Sequence, residues 1–364
     1  MADLIIKPST GNSLVLQDEG GDPVITVGTG GTTELSSISF AAGSAPTSPT
    51  TGQIYYNTTD KTLYVYDGTN WRHISERAGK AIGGTVTSYI KGSTTFIVHT
   101  FLESGTFTPY SSFSVDAILV AGGGGAGTNQ NLPGGGGGGG VLIGTGADVV
   151  ATNYTVTVGG GGSAGSNGSN SVLTGNSQTL TALGGGHGGT GDTVSAQNGV
   201  TGGSGGGGCY SGTGADGTQA NGSFGGQTFT GYANAGANGG GSSSQHPSGS
   251  GGGAGANSKD IPNNQFFGEG GIGIGNNFRT GTNVFYAGGG AGAHWTNAHT
   301  DTICQKFPAQ GGRGGGGNGG SNSSGFNNEI GTAGDENTGG GGGAASNQNG
   351  RPGGSGIVII RYSL

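Results

Sequence analysis

Runs of glycine constrain this chain more than anything else in it. Of its 94 glycines, 80 fall between Gly122 and Gly356. Many come in unbroken blocks: Gly122–Gly125, Gly134–Gly140, Gly159–Gly162, Gly205–Gly208, Gly314–Gly317 and Gly339–Gly343. Average usage is roughly 7%, and this stretch is about one-third glycine. Glycine loses more backbone freedom on folding than any other residue. Such blocks stay ordered only where something specific holds them.

Three arrangements compete. Collagen needs glycine at every third position with abundant proline; the chain has 10 prolines in all and no such phase. A flexible Gly/Ser linker has few apolar residues between its glycines. Here apolar β segments recur: Val141-Leu142-Ile143 directly after a block, Tyr154–Val158 directly before one, then Val172-Leu173, Leu180 and Leu183, with Ile357–Ile360 near the end. The third arrangement is a bundle of extended three-residue-per-turn glycine helices. These have no internal hydrogen bonds, so their N–H and C=O groups must pair between neighbours. Gly134–Gly140 would span roughly 22 Å in that form, at ~3.1 Å per residue. The bundle is the favoured expectation, with partly disordered glycine loops as the alternative.

Hydrophobic residues make up 30% of the 364, so a large apolar core is not expected and hydrogen bonding must carry more than its usual share. Charged residues are 9%, with a net charge of −7 and no basic stripe, which argues against nucleic-acid binding. The start, Met1 to Lys7, has neither the basic nor the apolar region of a signal peptide. No apolar run is long enough for a membrane-spanning helix. Synthesis in a cytosol is expected, with Cys209 and Cys304 as thiols rather than a disulfide.

Helical periodicity is almost absent, and the expected fold class is mostly β with irregular structure. Leu4–Ile6 reads as a strand; Leu14–Leu16 and Val24–Val27 flank a turn and read as a hairpin. Residues 1–42 form an attachment or oligomerisation segment too small to stand alone. Residues 43–78 form a small three-stranded meander after a Ser/Thr/Pro-rich stretch, with strands near 53–57, 62–66 and 70–74. Its Tyr55, Tyr56, Tyr64, Tyr66 and Trp71 read as cross-strand packing rather than a sugar platform. Residues 79–93 read as a linker, and 94–364 as one glycine-rich domain launched by strands at Thr94–Phe101 and Val115–Ala121.

Several of these pieces resemble bacteriophage tail-fibre modules. Gly52–Lys61, continuing through Leu63–Gly68 to Trp71, resembles a short β module of phage fibres, and Gly11–Val27 resembles the hairpin repeats of trimeric fibres. The order Ser104–Thr108, Asp116–Gly125, Gly140–Gly144, Tyr154–Gly162, Gly168–Val172, Ala182–Gly186 and Gly353–Tyr362 is similar to glycine-rich domains of phage tail proteins and to fibre-tip adhesins built from packed polyglycine helices. The resemblance implies a virion protein, a homotrimer attached to other tail proteins. It also implies loops between glycine tracts that bind a host-surface glycan or outer-membrane protein. The alternative is a structural or head-decoration fibre with no dedicated receptor. An ice-binding or cell-wall protein is disfavoured by the fibre-like start.

Between the tracts lie varied segments rich in aromatics, Asn, Gln and His, a mixture suited to glycan or protein-loop recognition. They include 128–133, Cys209-Tyr210, 224–232, 242–247, 259–267, 276–279, 283–286 and 294–307. Phe267, Phe278, Arg279, Tyr286, His294 and Trp295 are the candidate receptor contacts; the competing role for each ring is plugging the edges of the array. His294, His299, Asp301 and Cys304 have no metal-site spacing and read as loop polars. The carboxylates Asp260 with Glu269, or Glu329 with Asp335 and Glu336, are too sparse to suggest a hydrolase. No enzyme activity, cofactor or metal is expected.

Overall fold

A computed structural model describes residues 13–17, 23–28, 42–43, 45–58, 62–74, 79–128, 132–191, 197–240, 248–258, 268–296, 309–323, 330–346 and 349–364. The protein is all-β, with no helix among the described residues. It divides into two compact units, Met1–Ala78 and Gly79–Leu364.

In the first unit, β1 (Ser13–Gln17) and β2 (Pro23–Gly28) form an antiparallel hairpin. Leu4–Ile6 lies outside the described residues. A second sheet has the order β3 (Ala42–Gly43), β4 (Ile54–Asn57), β5 (Thr62–Tyr66), β6 (Trp71–Ile74), so the expected meander gains a short parallel strand. Asp67 Oδ1 accepts the N–H groups of Thr69 and Asn70 and closes the β5–β6 turn. Tyr55 stacks on Tyr64 at 5.2 Å and meets Trp71 edge-on at 4.6 Å, so these rings hold the sheet together.

The second unit begins earlier than the glycine domain expected from sequence. Residues 79–93, read as a linker, carry β7 (Ala81–Ile82) and β8 (Thr85–Lys91). There follow β9 (Thr94–Phe101), β10 (Gly105–Pro109), β11 (Phe113–Val120), β12 (Val141–Val149), β13 (Tyr154–Thr157), β14 (Ser171–Gly175), β15 (Gln178–Ala182), β16 (Gly222–Phe224) and β17 (Gln227–Tyr232). The last are β18 (Ile274–Asn276), β19 (Val284–Tyr286), β20 (His294–Thr296), β21 (Ser321–Ser323) and β22 (Ile357–Ser363). Two open sheets dominate, of order β15-β14-β13-β10-β7 and β16-β17-β12-β11-β22-β9-β8.

The sheets bury one core between them, with Phe107, Tyr154, Val156, Leu173 and Leu180 facing Leu119, Leu142, Phe224, Phe229, Val358 and Ile360. The other face of the seven-stranded sheet is also covered: Ile118, Val120, Val141, Ile357 and Ile359 pack with Phe278, Tyr286 and Ala287. Burial on both faces explains why β11 and β22 read as continuous apolar runs rather than alternating ones. The apolar core is therefore larger than 30% hydrophobic content suggests, because those residues are concentrated in the strands. Two hairpins use paired positive φ angles, Asn176-Ser177 (48° and 58°) and Gly225-Gly226 (56° and 74°), which match the twist of the flanking strands.

The glycine blocks extend from one end of these sheets as a hydrogen-bonded array. Their pairing repeats every third residue. Gly134, Gly137 and Gly140 donate to Gly189, Gly186 and Leu183; Gly135 and Gly138 donate to Gly249 and Gly252; Gly136 and Gly139 donate to Gly342 and Gly339. The carbonyls of the same block accept from Gly124 and Gly127, from Ser204 and Gly207, and from Gly290. One seven-residue stretch thus has six neighbours. Backbones this close leave no room for side chains: from Gly134 to Gly139, an added Cβ would lie 2.0–2.4 Å from a backbone oxygen. Where a neighbouring tract is missing, asparagine stands in. Asn170 and Asn167 Oδ1 accept the N–H groups of Gly184 and His187, both at 2.9 Å.

Where the sheets and the covering strands meet, Arg361 pairs with Asp116 at 2.9 Å and lies between the rings of Phe96 and Phe278, 4.5 and 3.9 Å from their centroids. On the opposite face His99 is fully buried, with Nδ1 2.7 Å from Gly83 O and Nε2 3.2 Å from Tyr362 Oη. Burial holds its pKa below the ordinary 6.5.

Two predictions follow from this packing. Gly137→Ala places a Cβ 2.3 Å from Ser204 O, whereas at Gly160 nothing lies within 4 Å. Urea unfolding should show a loss of about 1–3 kcal/mol or more for Gly137→Ala. For Gly160→Ala it should show no loss, or a gain of up to ~1 kcal/mol from a stiffer unfolded chain. Secondly, the unfolded chain takes up a proton at His99 more readily than the folded one does, so folding stability should fall as pH drops below about 6.5. The urea midpoint at pH 5.5 against 7.5 measures this, and His99→Gln should flatten the difference.

Candidate functional site

The sheets and tracts define two ends of the glycine array. The stretch 122–127 leaves β11 and runs antiparallel to 134–140, which enters β12, so Thr128 and Leu132 lie at the end remote from the sheets. Gly134 is level with Gly127 and Gly189, Gly135 with Gly249, and Gly350 donates to Gly127 O. Ser258 Oγ donates to Ser250 O and Ser250 Oγ to Gly268 O. Ser248 donates to Ala293 O, and Gly319 to Ala309 O. Beside them β20 pairs in parallel with β21. These contacts place the flanks of 129–131, 192–196, 241–247, 259–267, 297–308, 324–329 and 347–348 toward the same remote end. Those seven stretches themselves lie outside the described residues.

Hydrogen bonding fixes this end from several directions. Ser248 Oγ donates to Ala293 O at 3.1 Å and accepts the Ala293 N–H at 2.7 Å. Ser250 Oγ accepts from Gly292 at 2.9 Å. The turns Ser163–Ser166 and Cys209–Gly212 close here too, the latter with Tyr210 at φ 49°. A cluster of Ala126, Leu132, Ala293 and Ala344 is buried beneath. The result is a set of anchored chain ends from which the seven stretches depart.

The six residues named from sequence do not converge. His294 and Trp295 belong to β20 at the remote end, and the His294 side chain is buried, 4% exposed. Phe267 lies outside the described residues. Phe278, Arg279 and Tyr286 sit at the sheet end, on and beside β18 and β19. Phe278 and Tyr286 are 6% and 1% exposed and belong to the core cluster against the seven-stranded sheet. Burial pushes the Tyr286 hydroxyl pKa up, with neighbouring Arg279 acting the other way. The segment 224–232 is likewise structural: it forms β16 and β17, and Phe224 and Phe229 are buried. Phe278 and Tyr286 thus take the packing role of the two weighed for the aromatics, covering one face of the sheet.

Of the grouped polars, His299, Asp301, Cys304, Asp260 and Glu329 lie outside the described residues, and Cys209 is buried in the 209–212 turn. Among the described residues no group of three His, Cys, Asp or Glu is placed to hold a metal ion. No helix long and apolar enough to cross a membrane is present among them. Sequence reasoning missed the edge asparagines. Their signal was present: Asn167 and Asn170 are three residues apart, as are the His187 and Gly184 N–H groups they accept. Asn198, Asn238 and Asn318 act in the same way on Thr213, Gly214 and Gly311.

No curated protein matches the chain. A family model described as a glycine-rich domain matches residues 101–363, from the last residue of β9 through every tract to β22. That match covers the launching strands, the array and the closing strand, and the chain belongs to this glycine-rich domain family.

Proposed function

We propose that this protein is a bacteriophage tail-fibre protein whose glycine-rich unit binds a host-surface receptor, a glycan or an outer-membrane protein, during adsorption. The observation that supports the reading is that the described flanks of seven stretches lie toward one end of a close-packed backbone array. Rigid scaffolds that present variable loops are a common route to recognition. The array is read here as packed polyglycine-II-like helices, a reading supported by three-residue pairing and six neighbours around Gly134–Gly140. The fibre-like β modules of the first unit would attach the protein to other tail proteins as a homotrimer. Adsorption then needs no catalysis, cofactor or nucleic acid. A stiff base limits the entropy lost on contact, and several copies add avidity.

The 297–308 stretch is the longest of the seven and adjoins β20. Replacing it in the full chain with a Gly/Ser segment of equal length should lower binding of the labelled protein to host cells at least about tenfold, with an unchanged melting temperature. Immunogold labelling of virions should place the protein at fibre tips. Unchanged cell binding after replacement of each stretch in turn, or label confined to the head, would overturn the reading in favour of a decoration fibre.

A further inference from the structure

A hollow unconnected with the array's remote end lies at the sheet end. β8 is the edge of the seven-stranded sheet and is largely exposed. Beside it stands the turn joining β18 to β19, closed by the Gly281 N–H on Asn277 O at 2.9 Å and by a Thr280–Thr282 hydroxyl pair at 3.0 Å. Between edge and turn is an open hollow of about 360 Å³.

The chemistry of its wall is narrow. Thr85 and Thr87 on β8, Thr100 on β9 and Thr280 on the turn bring hydroxyl side chains to the lining, and Ser88 of β8 joins it. Tyr89 and Leu102 supply the apolar surface, and Arg279 supplies the only charge in the lining. Tyr89 is held in place: it stacks on Phe96 at 5.4 Å, and its hydroxyl meets Arg361 and the Asn277 carbonyl. The wall is therefore set before any ligand arrives.

Arg279 has no carboxylate partner among the described residues, whereas Arg361 nearby is paired with Asp116. A guanidinium offers a planar fork of donors that matches a carboxylate or a phosphate. Threonine and serine hydroxyls both donate and accept, and can rotate to suit. A ring of such hydroxyls with one cation and a small apolar floor complements a sugar ring bearing an acidic group. The net charge of −7 does not forbid an anion here, since surface charges are screened beyond about 8 Å at physiological salt.

We propose that this hollow binds a saccharide unit carrying an anionic group, either a carboxylate or a phosphate ester. Arg279 receives the acid, the β8 and Thr280 hydroxyls receive the ring hydroxyls, and Tyr89 with Leu102 lies under its C–H face. The site is shallow, so a single sugar should bind only in the millimolar range. This is a separate site from the remote end, and it stands or falls independently of the adsorption reading.

The test uses the full chain and three probes in ligand-observed NMR titrations: glucuronic acid, glucose 6-phosphate and glucose. Either anionic sugar, or both, should bind at least about tenfold more tightly than glucose. Preference for glucuronic acid assigns a carboxylated unit, and preference for the phosphate ester assigns a phosphorylated one. Arg279→Gln should bring the anionic sugars down to the level of glucose, with Arg279→Lys retaining part of the difference. Thr87→Phe, at an exposed strand position, should block all binding by filling the hollow, and it answers the question even if Arg279→Gln fails to fold. Equal binding of all three sugars, no binding of any, an anion preference that survives Arg279→Gln, or binding that survives Thr87→Phe would overturn the proposal.

Discussion

The absence of a side chain at positions where backbones nearly touch is the constraint on which the glycine-rich unit rests. An ordinary N–H···O=C bond between tracts is about 2.9 Å long here, as in Gly136 to Gly342 and Gly138 to Gly252. In a sheet that geometry leaves two faces for side chains. Around Gly134–Gly140 the neighbours come from six directions, and no direction is free. A Cβ at Gly136 would sit 2.1 Å from Gly124 O, and at Gly123 2.0 Å from Gly340 O. Only glycine satisfies every backbone group in this way, and unsatisfied buried backbone groups are costly. The entropy lost by ordering so much glycine is offset by bonds that no other residue allows to form.

An array of this kind has little apolar surface of its own, and its buried alanines fill only small gaps. The sheets supply what it lacks. β11 runs straight into Gly122, β12 receives the chain from Gly140, and β22 takes it back after Gly356. The three central strands of the seven-stranded sheet are therefore continuous with tracts, and the core on both of their faces fixes the level at which each tract begins. Register in the sheet, such as Val120 opposite Ile357 and Val141, becomes register in the array. At the opposite end the tracts hold the flanks of the seven stretches, so the core sets the level of those flanks through the hydrogen bonds of the array.

Much of this was legible in the residues. The apolar runs 141–143 and 357–360 fall on strands and 115–121 and 154–158 do so but for their last residue, and the meander with its packed aromatics follows the turn residues that punctuate it. Other parts were hidden for physical reasons. β8 has the sequence Thr-Val-Thr-Ser-Tyr-Ile-Lys and is exposed along most of its length, so no burial pattern marked it, and it read as linker. The pairing of 134–140 with six remote segments has no local trace, because glycine at one position looks like glycine at any other. Phe278 and Tyr286 lie in turn-rich, polar surroundings that suit a binding loop, and only the fold reveals that they cover Ile118, Ile357 and Ile359. Aromatics in a chain poor in hydrophobic residues are drawn into whatever core exists.

The most direct measurement is residue-resolved amide hydrogen exchange across Gly134–Gly140. If the block is held by its six neighbours, its amides should exchange at least about 10⁴-fold more slowly than an unstructured chain, close to the protection of Ile118, Leu119 and Ile359 in the central strands. Exchange at the unstructured rate, with the strands still protected, would mean that the glycines form loose loops on a β sandwich, and the account of a rigid array would be wrong.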